Sequence, residues 1–126
     1  MGRPAKARVE AAPNFLSNLN AAYDFFQLQD ADSPSARQTR LKAELRDMIA
    51  ILAWSPGSGR AARFLAAKSA QARLKAHTIQ QLAQTIGLPE LREFIVGQHI
   101  VLYAHSASEV VLLALKHQRQ LIYSAV

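Results

Sequence analysis

The sequence predicts an α+β fold in which an N-terminal helical hairpin packs on a small antiparallel sheet, with one further helix between them. Two observations lead to this prediction. Two N-terminal stretches repeat apolar residues at the spacing of a helix face, and two dense apolar runs near the other end, Ile100 to Tyr103 and Val110 to Leu115, are typical of strands. At 126 residues the chain can bury a core, and we expect a single domain over residues 1–126.

The chain begins with a strand signal and two amphipathic helices. In the segment Lys6 to Ala12, Val9 and Ala11 alternate with charged residues, which predicts a short edge strand. From Pro13 onward a helix is predicted, because apolar residues fall at i, i+4, i+7 and i+11, namely Phe15, Leu19, Ala22 and Phe26. A second helix is predicted from Ser35 to Ala53, and its apolar face comprises Leu41, Leu45, Met48, Ile49 and Leu52.

Turn-forming residues separate these helices from each other and from the C-terminal half of the chain. The polar segment 29–35 (QDADSPS) links the two helices, so that they form an antiparallel hairpin. Pro56 and the glycines after it end the second helix. A third helix is predicted from about Ala66 to Thr85, with Leu74, Thr78, Ile79, Leu82 and Ile86 at helical spacing. Gly87 should end it as a left-handed cap.

Three predicted strands then form a meander that ends in a polar tail. The strands are expected at Leu91 to Val96, Gln98 to His105 and Val110 to Leu115. Gly97 and the segment Ser106 to Ser108 supply the short connections that antiparallel neighbours need. The last strand is apolar on both faces, so we expect it at the centre of the sheet. The tail contains Lys116, His117, Gln118, Arg119 and Gln120 and closes on Leu121, Ile122 and Tyr123.

Composition limits the possible partners and cofactors. The net charge is +6, and residues 60–88 contain no acid, which favours an anionic partner such as nucleic acid, a ribosome or an acidic protein segment. A solvated basic helix face explains the same charges equally well. The chain has no cysteine, which excludes disulfides and thiolate zinc sites. No apolar run approaches the roughly 20 residues of a membrane helix. We therefore expect a cytoplasmic protein that does not contact a membrane.

Three blocks near the C-terminus resemble the RelE/ParE superfamily of toxins from type II toxin–antitoxin modules. LPELREFIVG (88–97), GQHIVLY (97–103) and LALKHQRQLIY (113–123) look like the blocks of its ParE-like plasmid stabilisation branch. The turn from Ser55 to Arg60 resembles the family's Pro-x-x-Gly-Arg turn. The layout matches from Pro13 to Tyr123, but the family usually has a short link where this chain has nearly thirty residues, including the third helix.

The resemblance implies a RelE/ParE-like fold and a toxin that a cognate antitoxin protein neutralises. ParE-like members bind and poison DNA gyrase and have no catalytic residues of their own. We favour this function because GQHIVLY and KHQRQ look closer to the ParE-like branch. The residues that the resemblance suggests for target binding are Arg60, Arg92, His117, Gln118 and Arg119.

The alternative function that the resemblance implies is RelE-like, ribosome-dependent cleavage of mRNA. This reaction needs a base for the ribose 2′-hydroxyl, cations for the phosphate and a proton donor for the leaving oxygen. The candidates are Arg92, His99, His117, Arg119 and Tyr123. The first meander strand carries Glu93 and Phe94 where that branch has lysines, which disfavours this function. His117 and Arg119 could also simply cap and solvate the end of the sheet.

A third possibility is a basic nucleic-acid-binding module without toxicity, in which residues 60–88 supply the contact face. Steep salt dependence of binding to plain duplex would favour it. A metal centre is not expected. His99 and His105 are six residues apart, roughly 20 Å along a regular strand, which is too far to share an ion directly. We therefore predict no metal and no cofactor.

Overall fold

Five strands and three helices make up the part of the chain that the computed structural model describes, which is residues 6–29, 34–62, 70–88 and 90–119. In chain order they are β1 (Arg8–Ala11), α1 (Pro13–Gln29), α2 (Pro34–Trp54), β2 (Arg60–Ala61), α3 (Ala70–Thr85), β3 (Glu90–Val96), β4 (His99–His105) and β5 (Glu109–His117). A 3-10 turn, Pro56–Ser58, precedes β2. The predicted α+β class is confirmed. None of the helices in these ranges is both long and apolar enough to cross a membrane.

The helical hairpin forms as its periodicity predicts. The apolar stripe of α1 turns inward, with Phe15 and Phe26 fully buried. On α2 the buried stripe consists of Leu41, Leu45, Met48 and Leu52. Ile49 is 38% exposed, so its predicted place in the core is wrong. It follows Met48 by one residue, which rotates its side chain about 100° around the helix to the edge of the stripe.

The sheet is larger than the predicted meander and has the strand order β1-β5-β4-β3-β2. The strands from β2 to β5 pair antiparallel with their neighbours, whereas β1 pairs parallel with β5. The predicted edge strand near the N-terminus is thereby confirmed. The predicted central position of Val110 to Leu115 is wrong, because β1 and β2 add to opposite edges and leave β4 in the middle.

Helices cover the sheet on both faces and create two cores. The face under α1 and α2, called the hairpin face here, contributes Val96, Val101, Tyr103, Val110, Leu112 and Leu115. The opposite face, called the α3 face, contributes Ile100, Leu102, Ala104, Leu113 and Ala114, which pack with Ile79 and Ala83 of α3. Because β4 has a core on each side, its residues from Ile100 to Ala104 form a continuous apolar run instead of alternating.

A β-bulge interrupts the pairing of β4 with β5. Leu102 pairs with Ala114 but Tyr103 pairs with Leu112, so Leu113 has no counterpart on β4. Leu113 and Ala114 consequently both belong to the core of the α3 face, and the residues beyond them alternate from that point. Two side chains of α1 stabilise the bulge: the Asn14 amide donates to the Leu113 carbonyl at 2.9 Å, and the Asn18 amide oxygen accepts from the Leu115 N–H at 3.0 Å.

Helix α3 lies on the sheet through a stripe of small side chains. Ala76, Ile79 and Ala83 are buried, at i, i+3 and i+7. Leu74 and Ile86, which were predicted on the inner face, are 69% and 43% exposed, because the alanines let the helix rest on the sheet along a different stripe. Gly87 has a φ of 75°, so the predicted left-handed cap is confirmed. The predicted first turn, 66–69, lies outside the described residues.

Candidate functional site

An open cleft of ≈ 820 Å³ lies on the hairpin face, at the end of the sheet where β5 finishes. We call it the histidine cleft. Side chains of α1, the start of α2, the β3–β4 turn and the polar tail line it, among them Asn18, Phe25, Phe26, Arg37, Gln98, His99, His117, Gln118 and Arg119. A shallower groove continues from it along α2 toward Arg40 and Glu44. The cleft thus joins the helical hairpin to the tail.

Two histidines from neighbouring strands meet in this cleft. His99 opens β4 and pairs directly with His117 at the end of β5, and their ring centroids are 5.3 Å apart in an edge-to-face arrangement. The ring of Phe26 covers His99 at 6.1 Å, which leaves His99 only 8% exposed. Burial, and to a lesser extent the neighbouring His117, lower the pKa of His99 to about 4. His99 is therefore neutral at physiological pH.

Hydrogen bonds fix the polar tail to the β3–β4 turn. The N–H of Arg119 donates to Nδ1 of His117 at 3.1 Å, and Nε2 of His117 lies 3.4 Å from the Gln98 amide oxygen. This pattern assigns the ring proton of His117 to Nε2. Gln118 adds a side-chain bond to the Gly97 carbonyl and a backbone bond to the Gln98 carbonyl, both at 2.8 Å. These hydrogen bonds hold the tail in one position up to Arg119.

Arg92 belongs to a different cluster, around the turn that precedes β2. Its Nη1 donates to the Gly59 carbonyl at 3.0 Å, and its Nε donates to Nε2 of His105 at 3.2 Å. The Tyr103 hydroxyl donates to the Pro56 carbonyl at 2.7 Å and accepts from the Gly59 N–H at 2.9 Å. Arg92 pairs with Tyr103, which stands four residues from His99 along β4, or about 13 Å. Arg92 therefore lies outside the histidine cleft.

Arg60 lies on the other face of the sheet, in an ion-pair cluster around a buried carboxylate. Its Nε is 3.6 Å from a carboxylate oxygen of Glu93, which is only 2% exposed. Lys116 belongs to the same cluster. Burial lowers the pKa of its ammonium; Glu93 offsets part of this shift, and Arg60 adds to it, so that the pKa stays below its usual value. Glu93, which replaces a lysine of the RelE-like pattern, thus serves here as a buried counter-ion of two half-buried cations.

The structure divides the sequence-predicted site residues into three groups. His99, His117, Gln118 and Arg119 meet in the histidine cleft. Arg60 and Arg92 lie in the two other clusters. Tyr123 lies outside the described residues. Phe25 and Arg37 also line the cleft but had not been predicted. A signal for Arg37 was present in the sequence, since a cation near the start of a helix opposes the helix dipole and so suggests a role other than stability.

The fold and this cleft define a RelE/ParE-type α+β protein, with a helical hairpin on one sheet face and a polar tail fixed at the sheet's end. Comparison with protein families agrees: the model of the ParE toxin of the type II toxin–antitoxin system, parDE, matches residues 9–122. The chain therefore belongs to the ParE toxin family, and the resemblance seen in its sequence is confirmed.

A solved structure has the same fold. It is described as the chromosomal ParDE TA system from P. aeruginosa and matches with a TM-score of 0.57 and 11% sequence identity. The match covers 89% of this chain and 96% of that chain. At this identity the likeness supports the fold alone. The comparison with curated proteins gave no match.

Proposed function

We propose that this ParE family member is the toxin of its module and that it acts by binding DNA gyrase in the cytoplasm. In this proposal the histidine cleft and the tail segment 117–119 are contact surfaces. A cognate antitoxin, the partner that the toxin–antitoxin family implies, neutralises the toxin by covering the same surfaces.

The state of the two histidines is the observation that carries this proposal. A histidine that serves as the base or acid of a nuclease must be accessible and able to exchange a proton near neutral pH. His99 is buried with a pKa of about 4, and both ring nitrogens of His117 are engaged with other parts of the tail and turn. Arg92, another candidate for the reaction, is held by Gly59 and His105 opposite Tyr103, which is about 13 Å along β4 from His99. These features favour a binding surface over an active site.

The accessible side chains of the cleft suit a protein partner. Phe25 is 51% exposed, and Gln118 and Arg119 are exposed beside it. Arginine and aromatic residues are enriched among the residues that dominate protein–protein binding energy. Arg37 gives the cleft a further positive charge. The partner surface should therefore carry carboxylates around an apolar centre, both on the target and on the antitoxin segment.

The test is inhibition of gyrase by the full-length protein. We expect it to inhibit DNA supercoiling and to accumulate cleaved DNA–gyrase complexes. Replacing Gln118 and Arg119 together by Ala should weaken inhibition about thirtyfold, the equivalent of one hot-spot contact of about 2 kcal/mol. Arg46→Ala is the matched control, because Arg46 is exposed on α2 and does not line the cleft. It should inhibit like the wild type.

Three other outcomes would contradict the proposal or part of it. Cleavage of ribosome-bound mRNA that disappears in His117→Ala, with gyrase unaffected, would establish the endonuclease alternative. Unimpaired growth of cells that express the chain without its antitoxin would argue against any toxin function. Equal inhibition by the tail variant and by Arg46→Ala would remove the tail from the contact surface.

A further inference from the structure

Helix α2 carries a regular stripe of exposed residues on the side that faces away from the sheet. Its members follow one another at alternating spacings of four and three residues, and all of them are exposed: Ala36, Arg40, Ala43, Asp47, Ala50 and Trp54. We call them the heptad stripe, because this spacing is that of the contact positions of a coiled coil. The buried residues of the same helix, such as Leu45, lie on its opposite side. The heptad stripe is therefore open to contact with another helix.

One end of the heptad stripe is apolar. Trp54 is 58% exposed, and Ile51, which borders the stripe one turn earlier, is 46% exposed. Single apolar side chains on a surface need no explanation, whereas adjoining ones on one helix face indicate a contact surface. With the alanines of the stripe, these two side chains form such a surface.

Large and small residues alternate along the heptad stripe, and this alternation suits a second copy of the same helix. We consider two antiparallel α2 helices related by a two-fold axis at the level of Leu45. Each large residue of one copy then faces an alanine of the other: Arg40 faces Ala50, Asp47 faces Ala43 and Trp54 faces Ala36. The alanines allow the helix axes to approach to about 8 Å, the lower end of the range for packed helices.

The charges of the heptad stripe determine the orientation of the two helices. In the antiparallel pair, Arg40 of one copy lies only about 4.5 Å along the axis from Asp47 of the other, so their side chains can form an ion pair. The two-fold axis produces this ion pair twice. A parallel pair would instead place like charges side by side. Antiparallel helices also bring the positive end of one dipole to the negative end of the other.

We propose that the protein forms a symmetric homodimer through the heptad stripes of two antiparallel α2 helices. Each helix has 21 residues and is about 31 Å long. Contact between two such helices buries less than about 1,200 Å² in total, the size of weak and transient interfaces. The dimer should therefore dissociate with a constant on the order of 100 µM. Its formation does not depend on gyrase being the target.

Reversal of the charges tests this dimer. Sedimentation velocity of the full-length wild type from about 5 to about 500 µM should show a monomer that converts to a dimer. Arg40→Asp and Asp47→Arg should each raise the dissociation constant about thirtyfold, because both ion pairs become contacts between like charges. An equimolar mixture of these two variants should dimerise like the wild type. In the mixed dimer each contact again joins a carboxylate to a guanidinium.

Arg73→Asp and Asp24→Arg are the controls, because they make the same substitutions at exposed positions on α3 and α1. Both should dimerise like the wild type. The proposal is overturned if the wild type stays monomeric up to about 500 µM. It is equally overturned if the two stripe variants behave like their controls, or if the mixture of stripe variants dimerises no better than either variant alone.

Discussion

His99 should make the protein lose stability as the pH falls from neutral toward 4, and replacing it by Gln should remove that loss. His99 is buried under Phe26 and beside His117, and these surroundings hold its pKa at about 4 in the folded state. In the unfolded chain the pKa returns to about 6.5. The folded state therefore excludes a proton that the unfolded state binds in this pH range, so acidification favours unfolding.

The size of the effect follows from the two pKa values. Between pH 7 and pH 4 the wild type should lose about 3 kcal/mol of unfolding free energy through His99 alone, and about 1 kcal/mol of it by pH 5.5. Well above pH 6.5, where His99 is neutral in both the folded and the unfolded state, stability does not depend on this group. Glutamine retains a polar side chain of moderate size but does not titrate, so the variant should lack this part of the pH dependence.

Urea denaturation at pH 7, 5.5 and 4 measures the difference. The comparison uses the change in unfolding free energy with pH in each protein, which removes any constant effect of the substitution. His77→Gln is the control, because it makes the same substitution at an exposed position on α3. If wild type and His99→Gln lose stability in parallel from pH 7 to pH 4, the assigned role of His99 is wrong.

Three further predictions concern the turn before β2 and the buried ion pair, and urea denaturation at pH 7 tests each of them. Gly59→Ala should lower the free energy of unfolding by about 1–3 kcal/mol, because its Cβ would lie 2.5 Å from the Glu93 carbonyl oxygen and 2.7 Å from the Tyr103 hydroxyl. Gly57→Ala, whose nearest neighbours are 3.9 Å away, should change stability by less than about 0.5 kcal/mol, and an equal loss in both variants would contradict the reasoning. Tyr103→Phe should cost about 1–3 kcal/mol, because it deprives the Gly59 N–H and the Pro56 carbonyl of their shared hydroxyl; a neutral result would mean that water replaces it. Glu93→Ala should cost about 1–3 kcal/mol by leaving the half-buried Arg60 without its carboxylate, whereas Glu10→Ala, which breaks the exposed pair with Arg8, should cost less than about 1 kcal/mol. Similar losses in these two variants would show that burial does not determine how much an ion pair contributes to the free energy of unfolding.

Local periodicity was sufficient for much of the fold. The stripes of α1 and α2 follow from the spacing of apolar residues, since each helix buries one face, and the strands β4 and β5 follow from their dense apolar runs. The sequence did not reveal β2, because a two-residue strand has no periodicity and forms only by pairing with β3. It also misassigned the inner side of α3, because alanines make the closest contact with the sheet while Leu74 stays exposed.

The sequence indicated which residues could form the candidate site, but it did not show which of them lie together. His117, Gln118 and Arg119 are consecutive, so a common location was evident from the sequence. The meeting of His99 with His117 depends on the register of β4 and β5, which a bulge between Leu102 and Tyr103 shifts by one residue. Simple alternation from Leu112 would place His117 on the α3 face. No local signal could correct this, because a bulge is visible only once two strands are paired.

The β-bulge gives β5 a tolerance for changes in chain length that its neighbours lack. Leu113 is the extra residue of the bulge. Its deletion would therefore leave a regular ladder that keeps the Leu102–Ala114 and Tyr103–Leu112 pairs. His117 would still reach His99, at the expense of one buried leucine and its contact with Asn14. β4 has no extra residue of this kind, so a deletion in it would turn every later side chain of that strand to the wrong face. A one-residue deletion should therefore be tolerated better in β5 than in β4.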